Sequence, residues 1–71
     1  MKLVTTPNCG LCARVKTILQ NKGVPFTVYS PDSAEGSVIV SKAPTKELPM
    51  LCITDDVIYC GKNALVYAKG I

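Results

Sequence analysis

The chain has 71 residues, 48% hydrophobic and 18% charged, with eight basic residues against five acidic ones for a net charge of +3. That length bounds the fold to one small globular domain over 1–71, close to the size at which a core no longer holds without staples. The basic residues are spread singly from Lys2 to Lys69 among few aromatics, which argues against nucleic-acid binding, and no apolar stretch approaches the ~20 residues of a membrane span.

KLVT (2–5) is short, β-branched and apolar, and Pro7-Asn8 stops it, which predicts a strand followed by a turn. From Cys9 the period changes. Leu11, Val15, Ile18 and Leu19 fall on one face of a helix, Arg14, Lys16, Gln20 and Asn21 lie largely opposite, and Gly23 supplies the stop. VPFTVY (24–29) reads as a second strand with Pro25 near its start. Strand, helix and strand in so short a span form a βαβ unit, parallel and right-handed.

The segment 30–47 has turn chemistry at both ends and a β-branched patch, Val38-Ile39-Val40. A short helix over 33–42 suits the topology, although Gly36 and the β-branched residues work against it. MLCIT (50–54) and VIYC (57–60) predict a hairpin around the two-residue turn Asp55-Asp56. KNALVYAK (62–69) closes the chain as a helix that Gly70 ends. The order is β-α-β-(α)-β-β-α: an α/β fold with a four-stranded mixed sheet, its first two strands parallel, the hairpin antiparallel to them, and helices on both faces.

Four cysteines carry the chemistry. Zinc or an iron–sulfur centre wants two closely spaced pairs; Cys9-x2-Cys12 qualifies, but Cys52 and Cys60 are spaced too widely. With Thr54 opposite Val57, Cys52 falls opposite Tyr59 and Cys60 opposite Leu51. The two then point to opposite faces, where they share neither a metal nor a disulfide. They read as small core hydrophobes. No metal site is expected from the four cysteines of one chain, and a metal- or iron–sulfur-binding module that uses Cys9 and Cys12, bridging two chains, stays as the alternative reading.

Cys9 is different, because it sits at a helix mouth where backbone N–H groups lack partners and the dipole end is positive. A thiolate there accepts N–H bonds from Leu11 and Cys12. Lowering a thiol pKa from about 8.5 to about 7 needs about 2 kcal/mol, within reach of the dipole plus charge-assisted hydrogen bonds. Cys12, one turn further in, is the less accessible partner. This asymmetry of nucleophile and resolver is that of a dithiol–disulfide couple. No signal peptide opens the chain, so a cytoplasmic location is expected, where paired cysteines serve catalysis or metal binding.

A CxxC opening a helix directly after the first strand of a βαβ unit resembles the thioredoxin-like superfamily. Within it the chain is similar to the glutaredoxins and the glutaredoxin-like electron donors of ribonucleotide reductase. CGLCARVKTIL resembles the glutaredoxin helix, with Lys16 four residues after the second cysteine. ELPMLCIT resembles the segment in which a proline, Pro49 in this chain, follows a cis peptide bond. YCGKNAL sits where the family turns into its last helix. The resemblance implies catalysis by Cys9 and Cys12, and a substrate groove drawn from Thr6, Leu11, Leu48, Pro49, Gly61, Lys62 and Asn63. A cis Leu48-Pro49 bond leaves Leu48 backbone groups free for an incoming peptide or glutathione to add as an extra strand edge.

The departures bear on the electron source. Where the family carries a lysine before the first cysteine and two aspartates after its glycine turn, this chain has Thr6, Asn63 and Ala64. Each lost charged hydrogen bond is worth ~1–3 kcal/mol, and no nearby acid replaces the ammonium partner. Lys16, Lys46 and Lys62 offer partial replacement for carboxylate contacts. The expected protein is a monomeric thiol–disulfide oxidoreductase with no bound cofactor that reduces disulfides in partner proteins, ribonucleotide reductase being the example. Its electrons come from glutathione or a flavoprotein such as thioredoxin reductase, and the contact count favours the protein reductase.

Overall fold

The computed structural model describes residues 1–71, in the order β1 (Lys2–Val4), α1 (Gly10–Asn21), β2 (Thr27–Tyr29), α2 (Ala34–Lys42), β3 (Met50–Thr54), β4 (Val57–Cys60) and α3 (Lys62–Gly70). The strands form one sheet in the order β2-β1-β3-β4. β1 pairs parallel with β2 and antiparallel with β3, and β4 runs antiparallel to β3. Only the first arm of the hairpin therefore opposes the βαβ strands; the second returns parallel to β1.

Side-chain alternation divides the interior into two layers. Leu3 and Leu51 face α1 and α3, where they pack with Val15, Leu19, Ala64 and Ala68. Val4, Met50, Cys52 and Cys60 face the other way and pack with Ile39 of α2. Each large aliphatic buried in these layers contributes about 1.5–3 kcal/mol, an upper bound given residual burial in the unfolded chain.

β2 begins three residues later than VPFTVY suggests. Val24 donates its N–H to Leu19 O at 3.1 Å while Gly23 donates to Gln20 O at 3.1 Å, closing the end of α1. Pro25 has no N–H to give. Pairing begins only where β1 offers partners, with Thr27 beside Lys2.

The helix over 34–42 forms despite its β-branched centre. Ser33 caps it, its Oγ accepting the Gly36 N–H at 3.0 Å and donating to Ser30 O at 2.6 Å. Ile39 then buries into the α2 layer. Gly36, which counts against a helix by propensity, is required by packing: a side-chain carbon there would lie 1.8 Å from Ser30 O. Lys2 and Glu35 pair at 3.0 Å between β1 and α2, and the carboxylate raises the Lys2 pKa.

The hairpin register differs from the expectation, and this is the main correction. Thr54 does pair with Val57, but a bulge at Ile53 then puts Cys52 opposite Ile58, Leu51 opposite Tyr59 and Met50 opposite Cys60. One extra residue reverses the facing of everything beyond it. Cys52 and Cys60 thus share the α2 face instead of pointing apart. They remain free thiols, each donating to a carbonyl, Thr54 O at 3.1 Å and Thr45 O at 3.6 Å respectively. As diagonal neighbours on paired strands they stand about 7–8 Å apart, beyond the reach of a relaxed disulfide.

Gly36→Ala is expected to destabilise the fold by about 2–3 kcal/mol, because the clash is with backbone, lowering the melting temperature by about 10–20 °C. Gly70→Ala, with nothing within 4 Å of the added carbon, is expected to leave it nearly unchanged. Thermal denaturation of the two variants checks the pair.

Candidate active site

The mouth of α1 is built by the Thr6–Cys9 turn, in which Cys9 N–H donates to Thr6 O at 3.3 Å. Cys9 is extended, at φ −99° and ψ 108°, and occupies the N-cap position. Its Sγ accepts the Cys12 N–H at 3.1 Å, so a sulfur fills the role usually given to a hydroxyl or carboxylate. Of the two donors expected, Cys12 provides this bond and Leu11 does not. Cys9 and Cys12 are joined as a disulfide with their Cα atoms 5.2 Å apart. Cys12 is 2% exposed, whereas Cys9 is half-buried, the asymmetry that the helix position predicts.

Leu48-Pro49 is cis. Leu48 lies outside the strands, and neither its N–H nor its C=O enters a backbone hydrogen bond. Pro49 is buried, and its carbonyl accepts the Gly61 N–H at 2.9 Å, tying the start of β3 to the mouth of α3. Gly61 turns there with φ +57° and ψ −128°, a region that side chains avoid.

Two cavities flank the α1 mouth. The larger, about 630 Å³, gathers Leu11, Leu48, Gly61, Lys62 and Asn63 of the expected groove, together with Glu47 and Cys60. The smaller, about 380 Å³, is lined by residues Cys9 and Cys12 and bordered by Thr6, Lys16 and Tyr29. Thr6 therefore belongs beside the disulfide rather than in the groove, and Pro49 is buried and does not line the groove. Lys46 is no rim cation: its Nζ donates to Val40 O, in the last turn of α2, at 2.9 Å, and it does not line the groove. Ala64 faces the α1 layer at 0% exposure, so a charge there would be buried and only position 63 addresses the groove. Sequence reasoning missed Glu47. Its one signal was adjacency to Leu48-Pro49, within a segment whose path the residues did not define.

The family model described as Glutaredoxin matches residues 1–58. No curated protein and no solved structure gives a significant match. The match includes the cysteine pair and Leu48-Pro49 and stops short of Gly61 and α3, whose place in the site rests on the structure itself.

With Cys12 shielded, alkylation of the reduced protein at neutral pH is expected to label Cys9 at least tenfold faster than Cys12, as on the order of 1.4 kcal/mol in barrier would give. Mass mapping of the early adducts reads the order directly; faster labelling of Cys12 would reverse the assignment.

Proposed function

The chain belongs to the glutaredoxin family, and we propose that it carries electrons to disulfides in partner proteins through Cys9 and Cys12. The observation that supports this most is the placement of Cys9 Sγ at the N-terminus of α1 with a buried partner sulfur behind it. There the reduced Cys9 thiolate gains from the unpaired N–H groups and the positive end of the helix dipole. It attacks one sulfur of the partner disulfide, forming a mixed disulfide and releasing the other sulfur as a thiolate. The Cys12 thiolate then attacks Cys9 Sγ. The intermolecular bond breaks, the Cys9–Cys12 bond forms, and the second partner sulfur leaves. Two electrons pass to the partner, and its two thiolates take up the two protons that the cysteines gave up. Leu48 supports docking, since its free backbone groups offer an extended substrate a short strand edge. The chain acts as a monomer in the cytoplasm, and ribonucleotide reductase is the kind of partner that the resemblance suggests.

For re-reduction we propose glutathione, entering the larger cavity beside Leu11, Leu48 and Lys62. Two glutathione thiols become glutathione disulfide as the Cys9–Cys12 bond opens. The contact deficit read from the sequence shrinks, because Ala64 faces the core and does not count against the groove. A flavoprotein thioredoxin reductase is the second reading, favoured by Thr6 in place of a lysine.

Cys9→Ser is expected to abolish disulfide reduction. Cys12→Ser is expected to accumulate the Cys9 mixed disulfide with a disulfide-bearing peptide, visible by mass under non-reducing conditions. A trapped adduct on Cys52 or Cys60 instead would end the assignment.

Turnover driven by glutathione with glutathione reductase is expected to exceed that driven by thioredoxin reductase. Coupled NADPH oxidation measures both in one format, and the opposite ranking would select the protein reductase.

A further inference from the structure

A two-cysteine exchange asks for two thiolates, and the backbone supports only the first. Cys9 Sγ accepts the Cys12 N–H at the mouth of α1. The sulfurs that enter hydrogen bonds are those of Cys9, Cys52 and Cys60, and Cys12 Sγ has none. Cys12 is also 2% exposed, and burial disfavours a thiolate. The second sulfur therefore needs a source of stabilisation that the helix mouth does not give it.

Cys12 lines the smaller cavity, where the one charged side chain is Lys16 and the further titratable groups are Cys9 and Tyr29. Lys16 follows Cys12 by four residues on α1, a spacing that puts Cβ atoms about 5–6 Å apart. Helix side chains also lean back toward the N-terminus, which carries Lys16 toward Cys12. No carboxylate lines this cavity to neutralise the ammonium; Asp32, beyond Ser30, is not among its walls. Glu35 is paired with Lys2, while Glu47 and Lys62 border the larger cavity, which Cys12 does not line. Of the other cations on or beside α1, Arg14 borders a separate hollow with Thr17, and Lys22 is spent on the carbonyls of Lys69 and Ile71.

We propose that Lys16 activates Cys12 as the resolving nucleophile, its ammonium stabilising the Cys12 thiolate across the smaller cavity. The inference rests on the reading in which Cys12 resolves the Cys9 mixed disulfide. In that step the Cys12 thiol gives its proton to solvent through the cavity that the exposed Lys16 borders. The thiolate attacks Cys9 Sγ, the Cys9–Cys12 bond forms and the bond to the partner breaks. The departing sulfur keeps the electron pair of the broken bond and then takes a proton. Lys16 acts through Cys12 and is a positioning residue, exchanging neither proton nor electrons. Because it is exposed, solvent screens it and the gain is about threefold in thiolate fraction, equal to about half a pH unit.

The test follows the two steps separately. Reduced protein is mixed with equimolar 4,4'-dithiodipyridine, a neutral disulfide whose two halves leave as thiopyridone and are read by absorbance. The first release scales with concentration and reports attack by Cys9. The second is independent of concentration and reports resolution by Cys12, so Cys12→Ser keeps the first alone. In Lys16→Gln the pH at which the second release is half-maximal is expected to rise by about half a unit. Resolution is about twofold slower at pH values below that midpoint, since the more basic thiolate is the better nucleophile and offsets part of the loss. The difference closes at alkaline pH, and Lys16→Arg keeps the wild-type profile. Equal midpoints in the wild type and Lys16→Gln, with or without a slowing that is uniform in pH, overturn this inference alone. Absence of the concentration-independent release in the wild type overturns the resolving role of Cys12 and the inference with it.

Discussion

One hydrogen bond organises the head of the molecule: the Cys12 N–H to Cys9 Sγ, at 3.1 Å. Helix mouths leave N–H groups without partners, and most proteins fill the gap with a hydroxyl or a carboxylate. In this chain the capping atom is a sulfur of the Cys9–Cys12 pair, so the bond that starts the helix also fixes where that pair sits. The rest of the fold holds that mouth still. Val15 and Leu19 lock the shaft of α1 against Leu3 and Leu51, and the Thr6–Cys9 turn hangs from the end of β1. Small Ala64 and Ala68 in the same layer let α3 lie beside α1. That contact brings the start of α3 within reach of the groove.

What the residues disclosed and what they hid divides along physical lines. The βαβ unit, the hairpin turn and α3 were legible because each is written locally, in a change of hydrophobic period and a stop signal. α2 was half legible. Its Ser33 cap is a local signal, but its glycine makes sense only against Ser30, a contact that packing decides. The bulge at Ile53 was illegible, since no residue type marks it, and it turned Cys52 and Cys60 toward one layer. Its consequence extends to the other face: Tyr59 joins Leu51 on the α1–α3 side and stacks on Tyr67 with ring centroids 4.7 Å apart.

The site divides in the same way. The pairing of Cys9 with Cys12 and the cis Leu48-Pro49 bond were readable because short local motifs mark both. Lys46 and Ala64 were misplaced, since only the fold reveals that the lysine bonds the Val40 carbonyl in the last turn of α2 and that the alanine is core. Glu47 was missed for the opposite reason: its meaning lies entirely in Gly61, which is distant in sequence and adjacent in space.

Gly61 therefore carries two demands at once. Its backbone must turn at positive φ to start α3, and its missing side chain must leave room for Glu47. Its N–H is spent on Pro49 O at 2.9 Å, which ties the loop before β3 to the mouth of α3. Leu48, next to that bond, keeps its own N–H and C=O out of the backbone hydrogen-bond network, at the edge of the larger cavity.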